Sequence, residues 1–115
     1  MSKPVQTILY PVSDLASAKA LFSTLLGVEP ASDAPFYVGF EVAGQQIGLD
    51  PGGAGRGMTG ATPFWDVDDL AGATSALEAA GAKVVDPAHE VGGGGLLVTI
   101  LKDADGNMIG LRQAT

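Results

Sequence analysis

Residues 12–27 read VSDLASAKALFSTLLG, and residues 67–81 read VDDLAGATSALEAAG. In the first stretch Ser13 and Asp14 offer side-chain oxygens to cap a helix, and Leu15, Ala18, Leu21, Phe22, Leu25 and Leu26 recur every three to four residues until Gly27. That pattern predicts an amphipathic helix with one apolar face, stopped by a residue that tolerates the left-handed conformation. The second stretch follows the same plan: Asp68 or Asp69 caps, Leu70, Ala73, Leu77 and Ala80 form the stripe, and Gly81 ends it. Working outward, VQTILYPV (5–12) and TPFWDV (62–67) read as the strands that enter the two helices. FYVGFEV (36–42) and QQIGLD (45–50) read as a strand pair turned by Ala43-Gly44, after a turn-rich stretch from Pro30 to Pro35. In the second half AKVVD (82–86) is a short strand. LLVTILK and NMIGLR close the chain as a hairpin around Asp103-Ala104-Asp105-Gly106. The string QIGLD at 46–50 returns as MIGLR at 108–112, so the chain carries one programme twice: a module at about 4–51, a linker at 52–60 and a second module at about 61–113. Neither copy is large enough to bury its own apolar face, so the two must pair into a single domain.

Length and composition agree with one packed unit. The chain has 115 residues, 46% of them hydrophobic and 17% charged. Thirteen acidic against six basic residues give a net charge of −7, which repels phosphate backbones and anionic membranes, so neither is an expected partner. There is no cysteine, hence no disulfide and no thiolate metal site. No apolar run approaches bilayer length and Met1-Ser2-Lys3-Pro4 does not begin a signal segment, so a cytoplasmic location is the expectation. Glycines cluster at 52–60 (GGAGRGMTG) and 92–95 (GGGG). Neither cluster is a phosphate-binding loop: the first lacks a Gly-Lys-Ser/Thr ending, and the second leads into a strand.

A strand ending Val12-x-Asp14-Leu15, a helix with Lys19, Ala20, Phe22 and Leu25-Leu26-Gly27, and a closing Asp103-x-Asp105-Gly106-Asn107-x-Ile109-x-Leu111 together resemble the vicinal-oxygen-chelate superfamily, the glyoxalase and bleomycin-resistance fold. The likeness spans nearly the whole chain. It implies an α+β fold of two βαβββ modules whose sheets curl around a cavity, with the helices outside. Relatives include glyoxalases, extradiol dioxygenases, epimerases, fosfomycin-modifying enzymes and metal-free proteins that sequester drugs, and the fold alone does not choose among them.

In the metal-using relatives, the first strand of each module carries a His or Gln and the last strand a Glu. The matching positions here read Thr7, Gly48, Thr62 and Gly110, none of which replaces an imidazole or a carboxylate. The resemblance therefore implies a fold without its metal: no cofactor is expected, and the two glycines are expected to leave room. A pocket lined by Thr7, Leu9, Gly48, Thr62, Phe64, Asp66 and Gly110 follows, in which Asp66 is the candidate acid or base. Gln6, one residue from Thr7, faces the other way along the strand. The lone histidine, His89, reads as a surface loop residue. Tyr10, Phe22 and Trp65 read as core between sheet and helices, whereas periodicity does not fix the facing of Phe36, Tyr37 and Phe40, of which one or two are expected at the pocket. Met58 reads as part of a plain connection. The leading function is a glyoxalase/bleomycin-resistance-like protein that binds a small molecule without metal, as a homodimer. The alternative is a lyase, isomerase or dioxygenase of the same type, with displaced ligands or with Asp66 in catalysis, and the third is an interaction module.

Overall fold

Asp14 sits in an extended conformation, and its carboxylate accepts from the backbone N–H and the hydroxyl of Ser17; with this cap in place helix α1 runs Leu15–Leu26. Gly27 ends it at φ 71°, its N–H returned to the Ser23 carbonyl. Asp69 does the same for α2, Leu70–Ala79, by accepting from the Gly72 N–H. These features belong to a computed structural model that describes residues 3–114. Around the helices lie eight strands: β1 Val5–Pro11, β2 Ser32–Ala34, β3 Tyr37–Val42, β4 Gln45–Asp50, β5 Thr62–Asp66, β6 Lys83–Val91, β7 Leu96–Lys102 and β8 Met108–Gln113.

The strands form one mixed sheet in the order β2-β3-β4-β1-β5-β8-β7-β6. The order is symmetric about its centre. β1 and β5 pair antiparallel there, and each lies parallel to the last strand of its own module, β4 and β8. Both helices pack on the same face: Ile8, Tyr10, Val38, Phe40, Ile47 and Leu49 meet α1, while Trp65, Val67, Leu97, Leu101, Ile109 and Leu111 meet α2. Tyr10, Phe22 and Trp65 thus stand between sheet and helices, as periodicity predicts, and the Tyr10 and Phe22 ring centroids are 4.9 Å apart.

The opposite face is concave. Five interstrand steps separate β4 from β6, about 24 Å on a flat sheet. Yet the single side chain of Arg56 pairs with Asp50 at the end of β4 and lies 3.9 Å from Asp86 of β6. Only a strongly curled sheet brings those carboxylates within one arginine's reach.

Four expectations need correction. The Pro30–Pro35 stretch holds a three-residue edge strand, β2, paired with β3. The strand expected at 82–86 continues to Val91 through two register shifts, so His89 is a strand residue opposite Val98 and not part of a loop. Leu21 and Leu25, assigned to the buried face of α1, are 65% and 71% exposed, because the face that meets the sheet is the narrower Leu15, Ala18, Phe22, Leu26 row. The segment at 52–60 is more than a connection: it forms a short 3-10 turn at Ala54–Arg56 and then buries Met58 to 3% exposure against Phe64, Ile100 and Met108.

Candidate functional site

Strand pairing puts the seven expected pocket residues on one face. Leu9 lies between Gly48 and Thr62, Phe64 lies between Thr7 and Gly110, and Asp66 stands beside Arg112. This is the concave face, away from both helices. The alternation of Thr62, Phe64 and Asp66 along β5 holds as read from the sequence.

The room expected at the two glycines is absent, since the chain's own side chains occupy it. A Cβ on Gly48 would stand 2.3 Å from Leu9 Cδ2 and 2.5 Å from the Tyr37 hydroxyl oxygen. One on Gly110 would stand 2.5–2.7 Å from three atoms of the Phe64 ring. Glycine permits the close approach at both places. The donor set therefore does not fit a divalent cation. Two of the four ligand positions have no side chain and no space for one, the other two are buried threonines, and among the described residues no three His, Cys, Asp or Glu side chains converge.

Of the three aromatics left open, only Tyr37 reaches this face. Phe36 is 74% exposed at the β2–β3 turn, and Phe40 is buried toward α1. Tyr37 leans over Gly39 and Gly48. Burial pushes its hydroxyl up from the ordinary value of 10.0, and the nearby Arg112 guanidinium pulls in the opposite direction.

The concave face divides into three zones. At its centre Met58, Phe64, Ile100 and Met108 pack with Leu9, Val85 and Val98 into a closed apolar cluster. At one end Asp50 accepts from the Gly52 N–H at 2.8 Å and pairs with Arg56, whose other neighbour, Asp86, lies 2.9 Å from His89 Nε2. This network ties the 52–60 segment to both modules.

The other end is polar and partly exposed. Arg112 of β8 donates through Nη1 to Thr7 Oγ1 at 2.7 Å and to Gln46 Oε1 at 3.3 Å, while Thr7 donates to the same Gln46 oxygen at 3.2 Å. Its Nε lies 3.0 Å from Asp66 Oδ1, an ion pair off the line needed for a hydrogen bond. Residues from β1, β4, β5 and β8 thus hold one guanidinium in place. Its Nη2 and the Tyr37 hydroxyl have no hydrogen-bond partner among the described residues. Sequence reading missed Arg112, Gln46 and Arg56. The resemblance put Gly110 on the pocket face, and the i, i+2 alternation of a strand then puts Arg112 there too, so the signal for that residue was present.

Solved structures support the fold at low identity. A glyoxalase/bleomycin resistance protein/dioxygenase superfamily member from Vibrio splendidus 12B01 superposes with a TM-score of 0.70 at 16% identity, covering 100% of both chains. Methylmalonyl-CoA epimerase from Mycobacterium tuberculosis gives 0.69 at 19%, covering 96% of this chain and 87% of that one. The Mn(II)-bound glyoxalase from Novosphingobium aromaticivorans gives 0.70 at 18%, covering 98% of this chain and 40% of that one. No curated protein matches the sequence. The family model described as Glyoxalase/Bleomycin resistance protein/Dioxygenase superfamily matches residues 5–111. With the duplicated βαβββ topology, that match establishes that the chain belongs to the glyoxalase/bleomycin resistance protein/dioxygenase superfamily.

Proposed function

We propose that this domain binds a small molecule at the partly exposed polar end of its concave face without a metal ion. The observation that carries the reading is the anchored guanidinium. Arg112 is held by Thr7, Gln46 and Asp66, and its Nη2 and the hydroxyl of Tyr37, close enough to feel its charge, have no hydrogen-bond partner among the described residues. Asp66 offsets the arginine's charge and the whole chain carries −7, so the arrangement favours an uncharged ligand with a carbonyl or similar acceptor over an anion. A few fixed polar groups beside apolar walls are the usual make-up of such sites. Asp66 is engaged by Arg112, which favours binding over acid or base catalysis.

Native mass spectrometry of protein purified from cells tests this. The expected result is a small-molecule adduct that is lost in Arg112→Ala and weakened in Tyr37→Phe. A stoichiometric metal adduct, with an activity that disappears on chelation, would overturn it. One observation favours a second reading, a module that only makes protein contacts: the centre of the concave face is filled by the chain's own Met58. The same spectra report a homodimer, which we also propose, as twice the chain mass. Exposed Leu21 and Leu25 support that assembly, being apolar surface that a second copy can cover.

A further inference from the structure

Duplication supplies an internal control on the opposite, helix-bearing face. Tyr10 and Trp65 hold matching places in the two modules, as do Phe22 and Leu77, and Leu21 and Ala76; each pair is 55 residues apart, the offset between the two capping aspartates. In the first module the Phe22 ring packs on Tyr10 and fills the space between helix and sheet. In the second the ring is missing and Leu77 stands in its place. A cleft of about 630 Å³ opens there, lined by Trp65, Ala73, Ala76, Leu77, Ile109 and Leu111. Trp65 stacks on no ring among the described residues.

The rim of the cleft is acidic. Asp68 and Asp69 both line it. Asp69 spends one oxygen on the α2 cap, and the exposed Asp68 pairs at 3.1 Å with Lys3, itself exposed. An exposed pair of this kind holds its partner weakly.

We infer that this cleft is a binding site for a planar aromatic cation, whose ring takes the place that Phe22 fills in the first module and whose charge meets Asp68 and Asp69. The shape, the unstacked indole and the sign of the rim all select that class, and an indole face is the strongest aromatic partner for a cation. The volume is that of ordinary small-molecule sites, about 300–1,000 Å³. The inference concerns the helix side and stands independently of the concave-face reading.

Trp65 is the chain's single tryptophan, so its emission reports on the cleft directly. The probe is 9-aminoacridine, a planar cation at neutral pH, compared with uncharged acridine. Saturable quenching is expected, about tenfold tighter for the cation than for acridine. It should weaken in Asp68→Asn and vanish in Leu77→Phe, which restores the ring of the first module. Ala73→Leu, which fills the same cleft from a half-buried lining position on α2, should also remove it, and it covers the case in which Leu77→Phe does not fold. Three results overturn the inference: no saturable quenching, quenching that survives in the folded filling variants, or emission that shifts with protein concentration alone, which assigns the cleft to a second copy.

Discussion

Gly110 and Gly48 are alike in sequence and unlike in cost of replacement. At Gly110 a new methyl meets the body of the buried Phe64 ring, which has nowhere to turn, so Gly110→Ala should destabilise by about 1–3 kcal/mol. At Gly48 it meets the far ends of Leu9 and Tyr37, which can swing aside, and the loss should be nearer about 1 kcal/mol. Urea denaturation of the two variants checks the order; equal or reversed losses would show that the rings do not fill these positions. Tyr37 gives a pH prediction. Its pKa is raised in the folded state, so the neutral hydroxyl's contribution to stability is complete below the ordinary tyrosine value of 10.0 and falls as pH rises through the folded value. Tyr37→Phe should remove that part of the alkaline loss, as seen in denaturant midpoints on either side of about pH 10. At this scale the sequence showed that Thr62, Phe64 and Asp66 share a face, because a strand's period of two is rigid. It could not show that Tyr37 and Phe64 lie over the glycines, because that depends on rotamers and on strands far apart in the chain.

Among the elements, the 52–60 segment changes most on moving from sequence to structure. Its six residues other than Met58, Arg56 and Thr59 are five glycines and an alanine, which read as a plain connection. Glycine there serves approach as well as flexibility: a Cβ on Gly53 would lie 2.9 Å from Pro11 Cβ and 3.0 Å from Met58 Sδ. Met58→Ala should cost about 2–5 kcal/mol, a core-like loss measurable by thermal or urea unfolding, whereas a true connection would tolerate it. Both helices were legible to within a residue or two at each end, since caps and stripes are local signals. The edge strand β2 was not, because three residues carry no periodicity and their pairing with β3 is a tertiary decision. The extension of β6 through Pro87 was hidden for a related reason: proline argues against a regular strand, and the register shifts there absorb it.

For the whole molecule, the duplication is the organising fact. The VSDL/VDDL and QIGLD/MIGLR pairs point to two modules, and the symmetric strand order joins them across β1 and β5. The same symmetry marks where the modules diverge: Phe22 against Leu77 on the helix side, and Tyr37 over Gly48 against Phe64 over Gly110 on the concave side. Among the described residues no helix is long and apolar enough to cross a membrane. We propose that this member of the superfamily binds no metal, because the positions that hold ligands in the metal-using relatives are here two buried threonines and two glycines covered by neighbouring side chains. Calorimetric titration of chelator-stripped protein with Mn(II), Ni(II) and Zn(II) tests it most directly. No saturable one-to-one binding is expected at micromolar metal, and tight stoichiometric binding of any of the three would contradict the loss of the site.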